Sequence, residues 1–180
     1  MKQHHFLIGF TLSLLMASAS AQHNHSGHGS VQGHSHSAYA GMQTRTIKSL
    51  SNQEIVDLRA GKGMSMALPA ELNGYPGPSH VLELAEPLKL TEQQKSRTQT
   101  LFKQMQEESR AAGEALIAAE IELDALFKNK QANATLLSQA TAKSAAAQGR
   151  LRETHLRYHL HMMDVLTSEQ VALYNRLRGY

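Results

Sequence analysis

Two histidines and a methionine near the end of the chain are spaced for metal binding. His155, His159 and Met163 recur every four residues, so on a helix their side chains share one face. Imidazole nitrogen and thioether sulfur suit transition-metal ions. If this helix pairs with the preceding one so that paired residue numbers add to about 262, Glu107 lies near His155. The carboxylate of Glu107, or that of its neighbour Glu108, then completes a mixed nitrogen, oxygen and sulfur site.

The same spacing fits an ordinary helix surface. Both histidines can face solvent beside Arg152 and Arg157 while Met163 supports the core. The pattern leaves these two interpretations open.

A second group of possible metal ligands precedes the helical region. Five histidines fall within a short polar stretch: His23, His25, His28, His34 and His36. Imidazole at this density suits Cu(II), Ni(II) or Zn(II), and a flexible chain can wrap around the ion. A solvated tail that binds metal only adventitiously is the alternative. The sequence thus requires no cofactor and allows a Cu, Ni or Zn ion.

Two long helices must position the first of these groups. Small and apolar residues recur at three- and four-residue steps over 92–128 and again over 134–165. A polar link of a few residues, ending in the N-cap Asn133, joins the two stretches. We therefore expect an all-α fold built on a long antiparallel helical hairpin. Two thin helices bury little surface, which favours a homodimer.

Shorter helices are expected on either side of the hairpin. Ser51 to Glu54 forms a capping box that opens a helix ending before Gly61. Further short helices are predicted over 64–72 and 80–85, and a last one after the N-cap Thr167.

The start of the chain has the features of an export signal. Lys2 lies in a positive segment, an apolar run over 6–16 is too short to span a bilayer, and Ala19-Ser20-Ala21 fits the cleavage pattern. We expect a signal peptide over 1–21, a disordered His-rich tail over 22–50 and a helical domain over 51–180. The mature protein is then periplasmic, of Gram-negative type, without a membrane span.

Composition excludes several classes of protein. The chain has no cysteine, so disulfides and thiol chemistry are excluded. A formal net charge of +3 is too small to indicate a nucleic-acid partner. No nucleophile elbow, phosphate-binding glycine loop or HExxH motif occurs, and we expect no enzymatic activity.

A five-residue motif occurs twice, once at the start of the first long helix and once directly after the second. Both copies read L-T-x-x-Q, with Leu as a hydrophobic staple, Thr as N-cap and Gln reaching back to the cap. Antiparallel pairing brings both copies to the open end of the hairpin. The motif residues are Leu90, Thr91, Gln94, Leu166, Thr167 and Gln170.

These motifs, with the long hairpin and the signal peptide, resemble the Spy/CpxP family of LTxxQ periplasmic proteins, which includes ZraP-type and CnrX-type relatives. The resemblance implies an all-α, cradle-like dimer that acts as an ATP-independent chaperone or adaptor in envelope or heavy-metal stress. It implies unfolded or misfolded envelope proteins as clients, and a sensor kinase or anti-sigma factor as a possible partner. His159-x3-Met163 resembles the HxxxM element of the metal sensors, so a sensor or buffer of Cu, Ni or Zn is the alternative function.

Basic and apolar residues at the open end of the hairpin are candidates for client binding. Long-range attraction and adaptable apolar contacts could hold an unfolded chain there. A solvated helix face explains the charges equally well. The candidates are Lys95, Arg97, Leu101, Lys103, Met105, Arg152, Arg157 and Met162.

Overall fold

The structure is a computed structural model that describes residues 38–180. The predicted signal peptide over 1–21 and the five tail histidines lie outside these residues. In the described part, a 3-10 turn is followed by six α-helices. Their bounds are Met42–Thr44 for the turn, then α1 Asn52–Ala60, α2 Leu68–Glu71, α3 Pro78–Glu83, α4 Glu92–Lys128, α5 Ala134–Met163 and α6 Ser168–Arg178.

The predicted fold class is confirmed. Helices α4 and α5 pack along each other as the expected antiparallel hairpin, and α1, α2 and α3 pack against it. Residues 38–180 contain no strand, only an isolated bridge between Ile47 and Leu50. None of the helices in this part is both long and apolar enough to cross a membrane.

Side-chain caps define where the helices begin. Thr91 accepts the backbone N–H of Gln94 at 3.2 Å, and the Gln94 side chain accepts the N–H of Thr91 at 3.0 Å. The same pair of bonds, with the same lengths, joins Thr167 and Gln170. Each box satisfies two backbone donors that the first helical turn leaves unpaired.

The two L-T-x-x-Q motifs meet at the open end of the hairpin, as predicted, and they bond to each other. The Gln94 amide donates to the Gln170 side-chain oxygen at 2.8 Å, and the Gln170 amide donates to the Gln94 oxygen at 3.1 Å. Each amide also donates across the junction, Gln94 to the carbonyl of Val165 and Gln170 to that of Leu88. Each glutamine thus completes the capping box of its own helix and also binds the other motif.

Two apolar clusters lie along the hairpin. The first includes Leu58, Leu116 and Leu151, and the second, at the open end, includes Met162 and Tyr174. On α5, the buried face between Leu151 and Met162 is occupied partly by Thr154, His155 and His159. The core is therefore polar between its two apolar parts.

Two glycines allow α1 to lie directly on α4. A Cβ atom on Gly113 would lie 2.7 Å from the carbonyl oxygen of Leu58, and one on Gly61 would lie 2.6 Å from that of Gln106. Gly61 also ends α1 with a φ of 66°, a conformation that glycine adopts without steric cost.

Two predicted boundaries are wrong. The expected disordered tail does not extend to residue 50, because Ile47 is buried against the first apolar cluster and Ser49 hydrogen-bonds Glu120. The helix expected over 64–72 is reduced to Leu68–Glu71, because Met64 and Ser65 have positive φ angles. The periodicity of these short segments was too brief to reveal either feature.

Candidate functional site

The buried polar part of the hairpin contains His155 and His159. Their exposed fractions are 2% and 6%, and they lie one turn apart on the face of α5. The interpretation in which both histidines face solvent is therefore wrong. Helices α2 and α3, with the connection between them, pack over this part of α5.

Gly77, just before α3, makes that cover possible. A Cβ atom at this position would lie 2.8 Å from Cε1 of His159 and 3.4 Å from Oε2 of Glu71. Any larger residue would push the connection away from the imidazole.

Glu71, at the end of α2, is the centre of the buried polar group. Only 5% of it is exposed, and its Oε1 accepts the hydroxyl proton of Tyr174 on α6. The same oxygen lies 3.0 Å from Nδ1 of His80 and 3.4 Å from Nε of Arg178. A buried carboxylate needs such partners. Glu71 thereby links α2 to α3 and α6.

Hydrogen bonding fixes the protonation of one ring nitrogen. Nδ1 of His159 lies 2.7 Å from the carbonyl oxygen of Tyr75, and a carbonyl can only accept, so Nδ1 carries the proton. The same Nδ1 is 3.8 Å from Oε2 of Glu71. In the neutral ring, Nε2 of His159 is then an acceptor.

His155 lies deeper and has fewer partners. Burial lowers its pKa, and the nearby His159 lowers it further. Its Nε2 is buried without a hydrogen-bond partner, and so is Oε2 of Glu71. The site thus holds a neutral imidazole and a carboxylate, each with an unused polar atom.

Two tyrosines border this region and keep their protons at all ordinary pH values. Burial and the hydrogen bond to Glu108 raise the pKa of Tyr158 to about 12. Burial and the bond to Glu71 raise the pKa of Tyr174 as well. Both hydroxyls therefore act as fixed donors to carboxylates rather than as acids.

A cavity of about 460 Å³ opens beside these groups. Glu71, His155 and His159 form its polar side, and Met64, Phe102 and Met105 form apolar walls. The end of α1, the 61–68 connection and the end of α6 complete it.

The predicted helix metal site is not assembled. Among residues 38–180, no three histidine, aspartate or glutamate side chains are grouped to hold a metal ion, so Glu107 does not join His155 and His159. Met163 is 39% exposed and does not line the cavity.

Glu107 lies on the exposed side of α4, so it does not reach the buried histidines of α5. The register of the hairpin also differs from the expected one: Glu108 accepts the hydroxyl proton of Tyr158 at 2.8 Å, whereas Thr154 was expected opposite it. The helices are thus displaced by about one turn. Because small and apolar residues recur with each turn, a slide of one turn preserves the pattern, and the sequence alone could not exclude it.

The predicted client surface is also not one surface. Met105 and Met162 are buried in the core, and Leu101 is half-buried. Lys95 pairs with Glu86 and Glu92. These apolar and charged groups are therefore occupied within the fold.

The remaining basic side chains point in different directions. At about 100° per residue, Arg97 and Lys103 lie on different faces of α4, as Arg152 and Arg157 do on α5. Within residues 38–180, Arg97, Lys103 and Arg152 form no ion pair, whereas Arg157 pairs with Glu108 and Glu153.

The exposed apolar residues lie elsewhere. On α5, Leu160 is 57% exposed and Met163 follows it on the same side, with Leu156 half-buried and Arg152 a turn earlier. We call these four residues the α5 stripe. A second group, the hairpin tip, lies beside the α4–α5 link and comprises Phe127, Leu136 and Leu137.

Sequence reasoning missed the residues that hold the buried site together. Glu71, Tyr174 and Arg178 converge from segments far apart in the chain. A glutamate within Leu-Pro-Ala-Glu-Leu looks like any helix-surface residue. The half-apolar 64–72 segment, which must pack on something, was the one available signal.

No protein-family model matches the chain, and comparisons with curated proteins and with solved structures give no match either.

Proposed function

We propose that this chain is a periplasmic, ATP-independent chaperone or adaptor of the Spy/CpxP type that acts in envelope or heavy-metal stress. It works by binding unfolded or misfolded envelope proteins, without catalysis. The twin L-T-x-x-Q caps, joined to each other at the open end of a long hairpin, support the family assignment.

The observation that carries the binding role is the α5 stripe. Leu160 and Met163 remain exposed on a helix whose other side is closely packed, and Arg152 beside them is without an ion pair among the described residues. A flexible thioether, a leucine and a free guanidinium can adapt to many unfolded chains. The client surface that we propose is therefore this stripe rather than the eight residues predicted from sequence.

Suppression of aggregation tests the proposal. Light scattering of a chemically unfolded client is followed with an equimolar amount of the full chain, which should reduce it strongly. Leu160→Ser combined with Met163→Ser should remove most of this effect without unfolding the protein. Val56→Ser, which alters an equally exposed apolar residue on α1, is the matched control.

Unchanged scattering with the wild-type protein would lead us to abandon the chaperone role. Equal suppression by the stripe variant and the wild type would instead overturn the α5 stripe as the client surface.

A heavy-metal sensor or buffer is the second candidate. Its specific support is that three histidines, His80, His155 and His159, line one cavity and that Nε2 of His155 has no hydrogen-bond partner among the described residues. Calorimetry with Cu(II), Ni(II) and Zn(II) compares the wild type, His159→Ala and a variant with alanine at the five tail histidines. Loss of binding in His159→Ala favours the cavity, loss only in the tail variant favours the tail, and no binding excludes this candidate.

A further inference from the structure

The cavity beside Glu71 has the size and lining of a small-molecule site. Its volume of about 460 Å³ falls within the range of roughly 300–1,000 Å³ typical of ligand pockets. Three of the polar side chains that line it are more than nine-tenths buried: Glu71, His155 and His159. These three side chains form the buried part of a cavity that opens to solvent beside the 61–68 connection.

Two of these side chains have polar atoms that the protein leaves unused. Oε2 of Glu71 and Nε2 of His155 are buried and form no hydrogen bond with any residue of 38–180. An unsatisfied buried polar atom costs about 1–3 kcal/mol, so native proteins keep few of them. A ligand with several N–H donors would satisfy both atoms, because no partner fixes the His155 tautomer and its Nε2 can accept.

Charge is divided between the inside and the edge of the cavity. Glu71 is its one lining carboxylate, whereas Lys62 and Arg178 bring positive charge. Lys62 is paired with Asp57 at 2.7 Å. Arg178 forms an ion pair with Glu71, in which its Nε lies 3.4 Å from Oε1, and 29% of its side chain is exposed. A carboxylate and a guanidinium thus stand next to each other at the cavity.

Adjacent positive and negative groups match an α-amino acid, whose ammonium and carboxylate are attached to one carbon atom. The walls formed by Met64, Phe102 and Met105 suit an apolar side chain rather than a polar one.

We propose that this cavity binds a small zwitterion with an apolar body, namely an apolar amino acid. Its ammonium group donates to Glu71 and His155, its carboxylate accepts from Arg178, and its side chain lies against Phe102 and Met105. The site is separate from the α5 stripe, and the inference goes beyond the proposed chaperone function without depending on it.

Calorimetry on the full chain in EDTA tests the proposal with three probes: leucine, methionine and phenylalanine. At least one should bind with a dissociation constant below about 1 mM. N-acetyl-leucine lacks the ammonium group and isoamylamine lacks the carboxylate, so each should bind about tenfold more weakly than leucine or worse. No heat with any of the three amino acids, or equal binding of N-acetyl-leucine, overturns the proposal.

A matched pair of arginine variants tests whether Arg178 binds the carboxylate of the ligand. Arg178→Gln should weaken leucine binding about tenfold and should not weaken isoamylamine binding. Arg176→Gln, two residues earlier on α6 and outside the cavity, should alter neither. Equal effects of the two variants overturn the assignment of Arg178. If Arg178→Gln fails to fold, the comparison of the three ligand types on the wild type still decides.

An experiment with added metal ions distinguishes an amino-acid site from a metal site in the same cavity. If leucine binds only after Cu(II), Ni(II) or Zn(II) has been added, and not in EDTA, the ligand is held by a metal ion and the proposal is overturned. Binding that is unchanged by EDTA supports it.

Discussion

At the scale of single residues, the buried imidazole of His155 makes stability depend on pH. Its pKa is lowered because burial penalises the charged ring and because His159 lies close by. The unfolded chain, with a histidine pKa near 6.5, therefore binds more protons than the folded protein as the pH falls. Stability that is present above the unfolded pKa is lost as the pH falls through this window.

We expect His155→Gln to flatten this dependence. In EDTA, the free energy of unfolding of the wild type should fall between pH 7.5 and pH 5.5, and His155 should contribute up to about 1.4 kcal/mol of this fall. In His155→Gln the fall should be smaller. Urea titrations at several pH values measure it. His161→Gln, an exposed histidine on the same helix, should retain the wild-type slope, and an equal slope in His155→Gln would contradict the prediction.

Two glycines in the hairpin should respond in opposite directions to the same substitution. Gly113→Ala places a methyl group 2.7 Å from the carbonyl oxygen of Leu58, so α1 must move, at a cost of about 1–3 kcal/mol. Gly149→Ala meets nothing within 4 Å and should stabilise α5 by about 0.5–1 kcal/mol. Chemical denaturation of both variants checks this. Stabilisation by both would mean that helix propensity, and not the α1 contact, governs Gly113.

At the scale of elements, the two N-caps are joined through their glutamines. Each glutamine satisfies its own threonine N–H through oxygen, and uses its amide to bind the other glutamine and a carbonyl of the opposite segment. The start of α4 and the start of α6 are thereby fixed together. A capping box alone does not require glutamine at both positions 94 and 170, whereas the bonds between the two side chains do require it.

A double-mutant cycle measures this connection. Gln94→Ala and Gln170→Ala should each destabilise the protein, and the double variant should lose less than the sum, with a coupling of about 0.5–3 kcal/mol. Gln93→Ala, beside Gln94 but exposed, should be additive with Gln170→Ala. An additive result for Gln94 and Gln170 would show that each glutamine serves only its own cap.

At the scale of the whole molecule, the hairpin tip exposes several apolar side chains to solvent. Phe127 is 54% exposed, and Leu136 and Leu137, 38% and 39% exposed, lie beside the same link. Exposed apolar groups of this kind commonly mark an interface. We expect the homodimer that the sequence led us to propose to form here.

Sedimentation velocity over a range of concentrations tests this expectation. The wild type should dimerise, and Phe127→Ser combined with Leu137→Ser should weaken the dimer about tenfold or more. Leu177→Ser, at the other end of the hairpin, should leave the association unchanged. A wild type that stays monomeric at every concentration, or a tip variant that dimerises as well as the wild type, would contradict it.

The amino-acid sequence by itself determined the two long helices and their antiparallel pairing. Capping residues act through local hydrogen bonds, and a long apolar period identifies a helix without knowledge of its neighbours, so α4, α5 and the meeting of the two motifs could be predicted. Only the tertiary structure decided the register of the hairpin and the burial of His155 and His159. A slide of one turn leaves the helical pattern unchanged, and the cover supplied by α2, α3 and Glu71 comes from segments whose own patterns are too short to show where they pack.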